Sequence, residues 1–500
     1  MSNLKIERDS KHGLSGVLAF FRLFLGNRAT RRIIKALLKE VEINGEKRPL
    51  LDICLAYFAG VVRGGLPPIA RFVSEVFSAW MRFALALLKT DDKFAKELLA
   101  DPATRRGVLL VFRTIALNGL TIPLPFEAPF FIVWNFTNMC NLRCIHCYQR
   151  AGAEVRELTL EEKLKLIDEL DKMFVCGVAL SGGEPTIHPH FLDIVAEISR
   201  RGMYAAVATN GIALADSDFV KKMKKAGMRY VEISLDHSKP EIHDKFRGVP
   251  GAWEKTVKGI ENCVKEGFFT AIATTVTKFN IDDIENMIDL AEDLGVRRIV
   301  FFNFVPVGRG RDNYKIDLTP EEREEFLKLL ARETRRRKIE IVTTAPQYGR
   351  VILQETQGEL AAPTHFVPAL KLGIYKAAVE FIGGCGAGRV YCAVEPDGTV
   401  TPCVFMPIPR GNIREKSFYE IWKYDELMNK FRDRRTFTGN VCSRCKYRDI
   451  CGGCRARAFS YFGDPLADDP GCLYCRAEFY KIVEEGPAQE TLYTVIKWKY

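Results

Sequence analysis

Apolar runs of six or seven residues recur through the middle of the chain, each followed at intervals by stretches whose hydrophobic residues return every three or four positions. The runs Phe130 to Phe136, Phe174 to Leu180, Tyr204 to Thr209, Tyr230 to Leu235, Thr270 to Val276 and Arg298 to Phe304 predict strands. The intervening periodic stretches, Thr159 to Lys172, Asp216 to Lys225, Ala252 to Glu266, Asp282 to Leu294 and Pro320 to Arg335, predict helices. Six βα units in a row predict a parallel sheet of the partial (β/α)6, TIM-like kind, with ligands at the C-terminal ends of its strands.

The pattern before residue 120 differs. Helical periodicity runs through Leu14 to Leu25, Thr30 to Val41, Leu50 to Val62, Ile69 to Leu88 and Arg105 to Leu117, and no strand alternation stands out, which predicts an all-α domain. Large apolar residues are plentiful, yet Arg22, Arg63, Arg82 and Arg113 interrupt them, so no run has the length of a membrane span. Residues 1–120 hold 20 Lys and Arg against 11 Asp and Glu, a net of +9 beside +10 for the whole chain. Such a basic, aromatic-rich region suits packing on the barrel or an anionic membrane surface. Basic residues interspersed with large apolar ones, without a recognition motif, speak against nucleic acid. Prolines at 123, 125 and 129 mark a boundary, giving segments 1–125, 126–340, a connector 341–384, a cysteine-rich 385–480 and a tail 481–500.

Candidate chemistry begins directly after the first predicted strand. Cys140, Cys144 and Cys147 lie within eight residues, one thiolate short of the four that a cubane cluster takes. An iron left open in this way can chelate a small molecule. Zinc also takes thiolates, but wants a fourth ligand. Some thirty residues on, Ser181-Gly182-Gly183-Glu184-Pro185 follows the second strand, where glycines let backbone approach a ligand and Glu184 offers an acceptor to an ammonium.

In this order and spacing, Cys-x3-Cys-x2-Cys and Gly-Gly-Glu-Pro resemble the radical S-adenosylmethionine (SAM) superfamily. The resemblance implies that the open iron binds the amino and carboxylate groups of SAM, and that an external donor of ferredoxin or flavodoxin type supplies the electron that cleaves it to a 5′-deoxyadenosyl radical. It also implies SAM contacts at Gly182, Gly183, Glu184 and Pro185, at Asn210 after the third strand, at Ser234 and Asp236 after the fourth, and at Val307 and Gly308 after the sixth. His237 stands where relatives usually have glycine. The segment Glu241 to Gly248 also looks familial and is read as structural.

Nine further cysteines, at 385, 392, 403, 442, 445, 451, 454, 472 and 475, fill about ninety residues. Pairs such as Cys442-x2-Cys445 and Cys451-x2-Cys454 also occur in zinc ribbons. The whole arrangement resembles the SPASM extension of radical SAM enzymes, with its two auxiliary [4Fe-4S] clusters. Carried over by position, Cys385, Cys392, Cys403 and Cys454 hold one, and Cys442, Cys445, Cys451 and Cys472 the other, with Cys475 competing for the last place. Val404 stands where sulfatase-modifying relatives carry an aspartate base, which discounts formylglycine formation. Cys54, Cys176 and Cys263 have apolar neighbours and read as buried hydrophobes, and His146 and Tyr148 as packing around the first cluster.

Fifteen cysteines without a signal peptide point to thiolates and metals in a cytoplasmic enzyme, with peripheral membrane association as an extension of that reading. The helical front suggests a long hydrocarbon substrate, and the arrangement resembles archaeal tetraether lipid synthases. The alternatives are haem-pathway tetrapyrrole enzymes, which share the Cys-Gly-Gly-Cys-Arg-Ala-Arg-Ala text, and peptide-modifying enzymes. An electron carrier without chemistry of its own would not need Gly-Gly-Glu-Pro.

Overall fold

The computed structural model describes residues 27–485 apart from 44, 88–90, 121–123, 363–368 and 372–381. The predicted helix Leu14 to Leu25 lies outside the described residues. The chain divides into two compact units between Glu127 and Ala128.

In the first unit, α1 (Arg28–Leu37) leads into a hairpin of β1 (Glu40–Ile43) and β2 (Glu46–Pro49). This overturns the all-α expectation. The Asn44-Gly45 pair is the sequence signal for such a hairpin, and Gly45 takes the positive φ (+82°) that the tight turn requires. The strand also ends the first helix earlier than the apolar periodicity implied. Helices α2 (Leu50–Phe58), α3 (Pro68–Leu87), α4 (Asp92–Ala100) and α5 (Pro102–Asn118) follow. Asp101 caps α5 through the Ala103 amide, and Pro102 sits where its missing N–H costs nothing. Helix α3 is built inside out. It buries Ala70, Ser74 and Ser78, with the Ser74 hydroxyl against the Cys54 sulfur, while Ile69, Phe72, Val76, Trp80 and Phe83 are exposed. Among the described residues, no helix is long and apolar enough to cross a membrane.

The second unit is organised by one ten-stranded sheet. Its parallel run is β3 (Phe131–Thr137), β4 (Gly177–Gly182), β5 (Tyr204–Thr209), β6 (Tyr230–Ser234), β7 (Phe269–Val276), β8 (Arg298–Asn303) and β9 (Glu340–Thr343), each pairing with the next. The six predicted strands are all present. The sheet continues past them through β9, which falls where the connector was expected. Helices α6 (Leu160–Lys172), α7 (Phe191–Arg200), α8 (Ser217–Ala226), α9 (Pro240–Arg247), α10 (Ala252–Lys265), α11 (Ile284–Asp293) and α12 (Pro320–Arg336) lie between the strands. Thr159 opens α6 with a reciprocal capping box to Glu162, as the Thr-x-x-Glu text requires. Phe174 has a positive φ of 61°, so the second strand starts at Gly177 and not at Phe174.

After α13 (Tyr348–Glu355) and the short pair β10 (Leu360–Ala361) and β11 (Leu370–Lys371), the cysteine-rich segment joins the same sheet. Its strand β12 (Tyr391–Val394) pairs in parallel with β3, and β13 (Thr399–Thr401) and β14 (Gly411–Asn412) extend the edge antiparallel. Helices α14 (Phe418–Tyr424), α15 (Glu426–Arg432), α16 (Arg455–Phe462) and α17 (Arg476–Glu485) complete the unit. The cysteine-rich segment thus abuts β3, the strand that leads into the loop of Cys140, Cys144 and Cys147.

Candidate active site

The loop bearing Cys140, Cys144 and Cys147 is held from three sides by backbone that approaches too closely for side chains. At the end of β4, Gly183 N donates to Thr137 O (2.7 Å) and Glu184 N to Met139 O (2.7 Å). A Cβ on Gly183 would lie 2.0 Å from Met139 O, and one on Gly182, at φ +112°, 2.6 Å from Thr137 O. On the second side, Arg143 N and Ile145 N donate to the carbonyls of Arg247 and Phe246. On the third, Arg309 N and Gly310 N both donate to Cys147 O, and a Cβ on Gly308 would lie 2.1 Å from Tyr148 O. The Gly-Gly and Val307-Gly308 loops singled out in the sequence therefore buttress the cysteine loop directly. Pro185 is buried at the start of a short 3-10 turn, and Val307 is buried beside Gly308.

Electrostatics in the loop centre on Arg247. Its Nε pairs with Asp236 Oδ2 at 2.6 Å and its Nη1 donates to Cys144 Sγ at 3.7 Å. Asp236 also accepts from Thr275 N (2.8 Å), while Asp236 N donates to His243 Nδ1 (3.2 Å). Burial, with Arg247 beside it, lowers the His243 pKa to about 3, so the ring stays neutral and accepts. His146 stacks on Phe246 at 4.1 Å, and Tyr148 Oη donates to Asn135 Oδ1 and shares a hydrogen bond with Ser181 Oγ. Both therefore pack as expected.

Two predicted SAM contacts are already engaged within the chain. The Glu184 carboxylate, 1% exposed, accepts from Thr186 N, Thr186 Oγ1, Thr209 Oγ1 and Asn210 N. These bonds lock the ends of β4 and β5 together. Asp236 is as deeply buried, and its carboxylate orients Arg247. Asn210 Nδ2 reaches Asn141 Oδ1 in the cysteine loop at 2.7 Å, and Ser234 is half-buried at the end of β6.

The thiols suit an iron-sulfur cluster. Burial pushes the Cys140 pKa up to about 12, and Glu184, Cys144 and Cys147 add to it by repulsion. A partly buried nest of closely spaced sulfurs is unfavourable as free thiolates and becomes favourable when a cation neutralises them. Arg247 and the Leu142 amide, 3.4 Å from Cys140 Sγ, supply hydrogen bonds of the kind that tune cluster potentials.

Residues 134–291 match the family model of the radical SAM superfamily, and residues 385–446 that of an iron-sulfur cluster-binding SPASM domain. The chain is 36% identical to the AdoMet-dependent heme synthase of Methanosarcina barkeri over 354 residues, covering 70% of this chain and 97% of that protein. The chain belongs to the radical SAM superfamily. The Fe-coproporphyrin III synthase of the same organism is 34% identical over 366 residues, 69% of this chain and 88% of that protein. The fold is also similar to Streptococcus suis SuiB bound to S-adenosylmethionine, with a TM-score of 0.57 at 17% identity over 86% of this chain and 95% of that one. As a radical SAM enzyme with a SPASM domain, the chain takes a [4Fe-4S] cluster, SAM and auxiliary iron-sulfur clusters.

The auxiliary cysteines of this radical SAM enzyme gather in two neighbourhoods. Tyr391 Oη donates to Cys403 Sγ at 2.9 Å, and the Cys403 pKa is raised by burial and by its neighbours Cys385 and Cys454. Cys392 is fully buried; burial raises its pKa, and Arg432 works against that rise. Elsewhere, Cys442, Cys475 and Asp468 have ligand atoms within 4.8 Å of one another. Cys472 joins them through Cys475, and both Cys445 and Cys451 feel Cys442 and Cys472. Both Cys472 and Cys475 therefore reach the second nest. Of the cysteines read as buried hydrophobes, Cys54 and Cys263 are fully buried and Cys176 half-buried.

Arg247 and Glu395 escaped the sequence reading. Arg247 lies in the Glu241 to Gly248 segment, whose residues carry no chemical signal of their own. Glu395, at the turn after β12, accepts from Asn135 Nδ2 and Gln149 Nε2, and burial raises its pKa to about 7. Only the pairing of β12 with β3 brings it beside the residues following Cys147, and no local pattern announces that.

Proposed function

We propose that the chain acts on a carboxylate-bearing tetrapyrrole, abstracting a hydrogen atom from one of its side chains. The observation that carries this reading is its 36% identity across 97% of a heme synthase. The expected lipid alkyl substrate finds no support among these relatives, whose names belong to the haem pathway. The tetrapyrrole alternative takes its place.

In this reading Cys140, Cys144 and Cys147 hold the radical-generating cluster, and the backbone around Gly182, Gly183 and Gly308 borders SAM. When bound, cluster and SAM supply a 5′-deoxyadenosyl radical, the reducing electron coming from an external donor of ferredoxin or flavodoxin type. Arg247 holds positive charge at Cys144, Glu184 ties the strand ends that wall the site, and the aromatic rings of Tyr148 and Phe405, 5.0 Å apart, keep water from the reacting side chain. Cys442, Cys445 and Cys451, with Cys472 or Cys475 as the fourth, supply the second auxiliary cluster. The exposed apolar face of α3 and the basic excess of residues 1–120 support peripheral association with an anionic membrane.

The test is 5′-deoxyadenosine formation by the anaerobically reconstituted, reduced enzyme with SAM. Iron coproporphyrin III should stimulate it well above the substrate-free rate, and a membrane lipid extract should not. Stimulation by lipid alone would sink the tetrapyrrole reading.

A further inference from the structure

The auxiliary nest that borders the barrel has three thiols, and the fourth assigned by resemblance faces elsewhere. Tyr391 and Cys392 are adjacent in β12, so their side chains leave opposite faces of the sheet. Tyr391 points to the nest, since its hydroxyl donates to Cys403 Sγ at 2.9 Å. Cys392 therefore points away. On its side lies Arg432, whose guanidinium stacks on Trp422 at 4.3 Å and donates to Gly388 O. Cys385 and Cys454 are buried like Cys403, and both add to the rise that burial gives the Cys403 thiol. Cys475 cannot make up the difference, because it is held against Cys442 and Asp468.

The short-handed nest also lies on the reaction side. Phe405 N donates to Cys403 Sγ (3.4 Å), and the Phe405 ring packs on Tyr148, next to Cys147, and on Phe302 of the barrel strand β8 (6.4 Å). Three buried arginines stand here. Arg389 and Arg434 donate to the Cys385 carbonyl, and Arg457, with its backbone N–H on Cys454 Sγ, faces Asp317 through Nε at 3.5 Å and has Nη1 without a hydrogen-bond partner, while Asp469 accepts from Cys454 N. A cubane on three thiolates has one iron free for an oxygen ligand.

We propose that the auxiliary cluster beside the barrel is held by Cys385, Cys403 and Cys454 alone, that Cys392 is not a ligand, and that the remaining iron takes a carboxylate of the substrate. The last clause rests on the tetrapyrrole reading.

The experiment uses the full chain with Cys140, Cys144 and Cys147 all replaced by alanine, so that only auxiliary clusters remain. Adding Cys392→Ser or Cys392→Ala should leave iron and sulfide per chain and the Mössbauer spectrum unchanged. Adding Cys403→Ser should remove about half of the iron. Loss of a cluster in both Cys392 variants, with the fold intact by circular dichroism, overturns the ligand set. Metal-free coproporphyrin III is then added to clusters enriched in the Mössbauer isotope, with its tetramethyl ester as control. The free acid should perturb one iron site, and the ester should not. A porphyrin that binds, by its absorption shift, without perturbing the cluster overturns the carboxylate clause and leaves the tetrapyrrole reading standing. A porphyrin that does not bind at all overturns both, while the Cys392 variants still decide the ligand set.

Discussion

The guanidinium of Arg247 donates to the Cys144 sulfur at 3.7 Å while its Nε is clamped by Asp236 at 2.6 Å, so a buried positive charge is fixed against one thiol of the radical site. Hydrogen bonds and charge at cluster sulfurs raise the reduction potential. Arg247→Gln should assemble the cluster at a more negative potential and cleave SAM at least about tenfold more slowly, the loss expected for a charge-assisted hydrogen bond of about 1.5 kcal/mol. An EPR-monitored redox titration checks it. An unchanged midpoint would show that Arg247 acts only in packing.

Gly183 answers to sterics alone. Its missing Cβ would sit 2.0 Å from Met139 O, so Gly183→Ala must force the end of β4 away from the cysteine loop. Overpacking of this kind costs about 3 kcal/mol. Thermal unfolding should show the loss, together with lower retention of the radical-site iron. Gly152→Ala, where a Cβ meets nothing within 4 Å, is the control for clash, although its φ of +98° carries backbone strain.

Glu395 gives a signature in pH. Its carboxyl holds a proton up to about pH 7 when folded, against an ordinary value of 4.5, because burial disfavours the charge. An acid whose folded pKa is raised contributes stability that is present below the unfolded value and lost as pH rises through the folded one. Between about pH 4.5 and 7 the enzyme should therefore lose stability that Glu395→Gln retains. Anaerobic denaturant titrations at the two ends of that window measure it. A constant difference between the two proteins would contradict the raised pKa.

The exposed face of α3 predicts vesicle binding. Replacing Phe72 and Phe83 by serine removes two outward aromatic rings without touching the buried Ala70, Ser74 and Ser78. Each buried aromatic is worth roughly 1.5–3 kcal/mol. Cosedimentation with anionic phospholipid vesicles should fall more than tenfold, and deoxyadenosine formation should stay the same.

What could be read from the sequence was local. The strand-helix beat, the cysteine spacing and the glycine loops are set within a few residues of one another, and each lies close to where periodicity and turn chemistry put it. The hairpin β1–β2 was legible in Asn44-Gly45 but was overridden by the apolar periodicity around it. Long-range pairing was not legible. The parallel register of Tyr391 with Phe131 and of Trp134 with Val394 turns Cys392 away from Cys403 and sets Glu395 beside Asn135. Glu184 and Asp236 were recognised as site residues, yet their hydrogen-bond partners come from other strands, so their role as braces could be seen only in the fold.

The central claim is hydrogen abstraction from a tetrapyrrole side chain, and isotope transfer tests it most directly. The reduced enzyme, given SAM and iron coproporphyrin III deuterated in its propionate methylenes, should release 5′-deoxyadenosine one deuterium heavier by mass spectrometry. Substrate-stimulated deoxyadenosine that remains unlabelled would contradict the account.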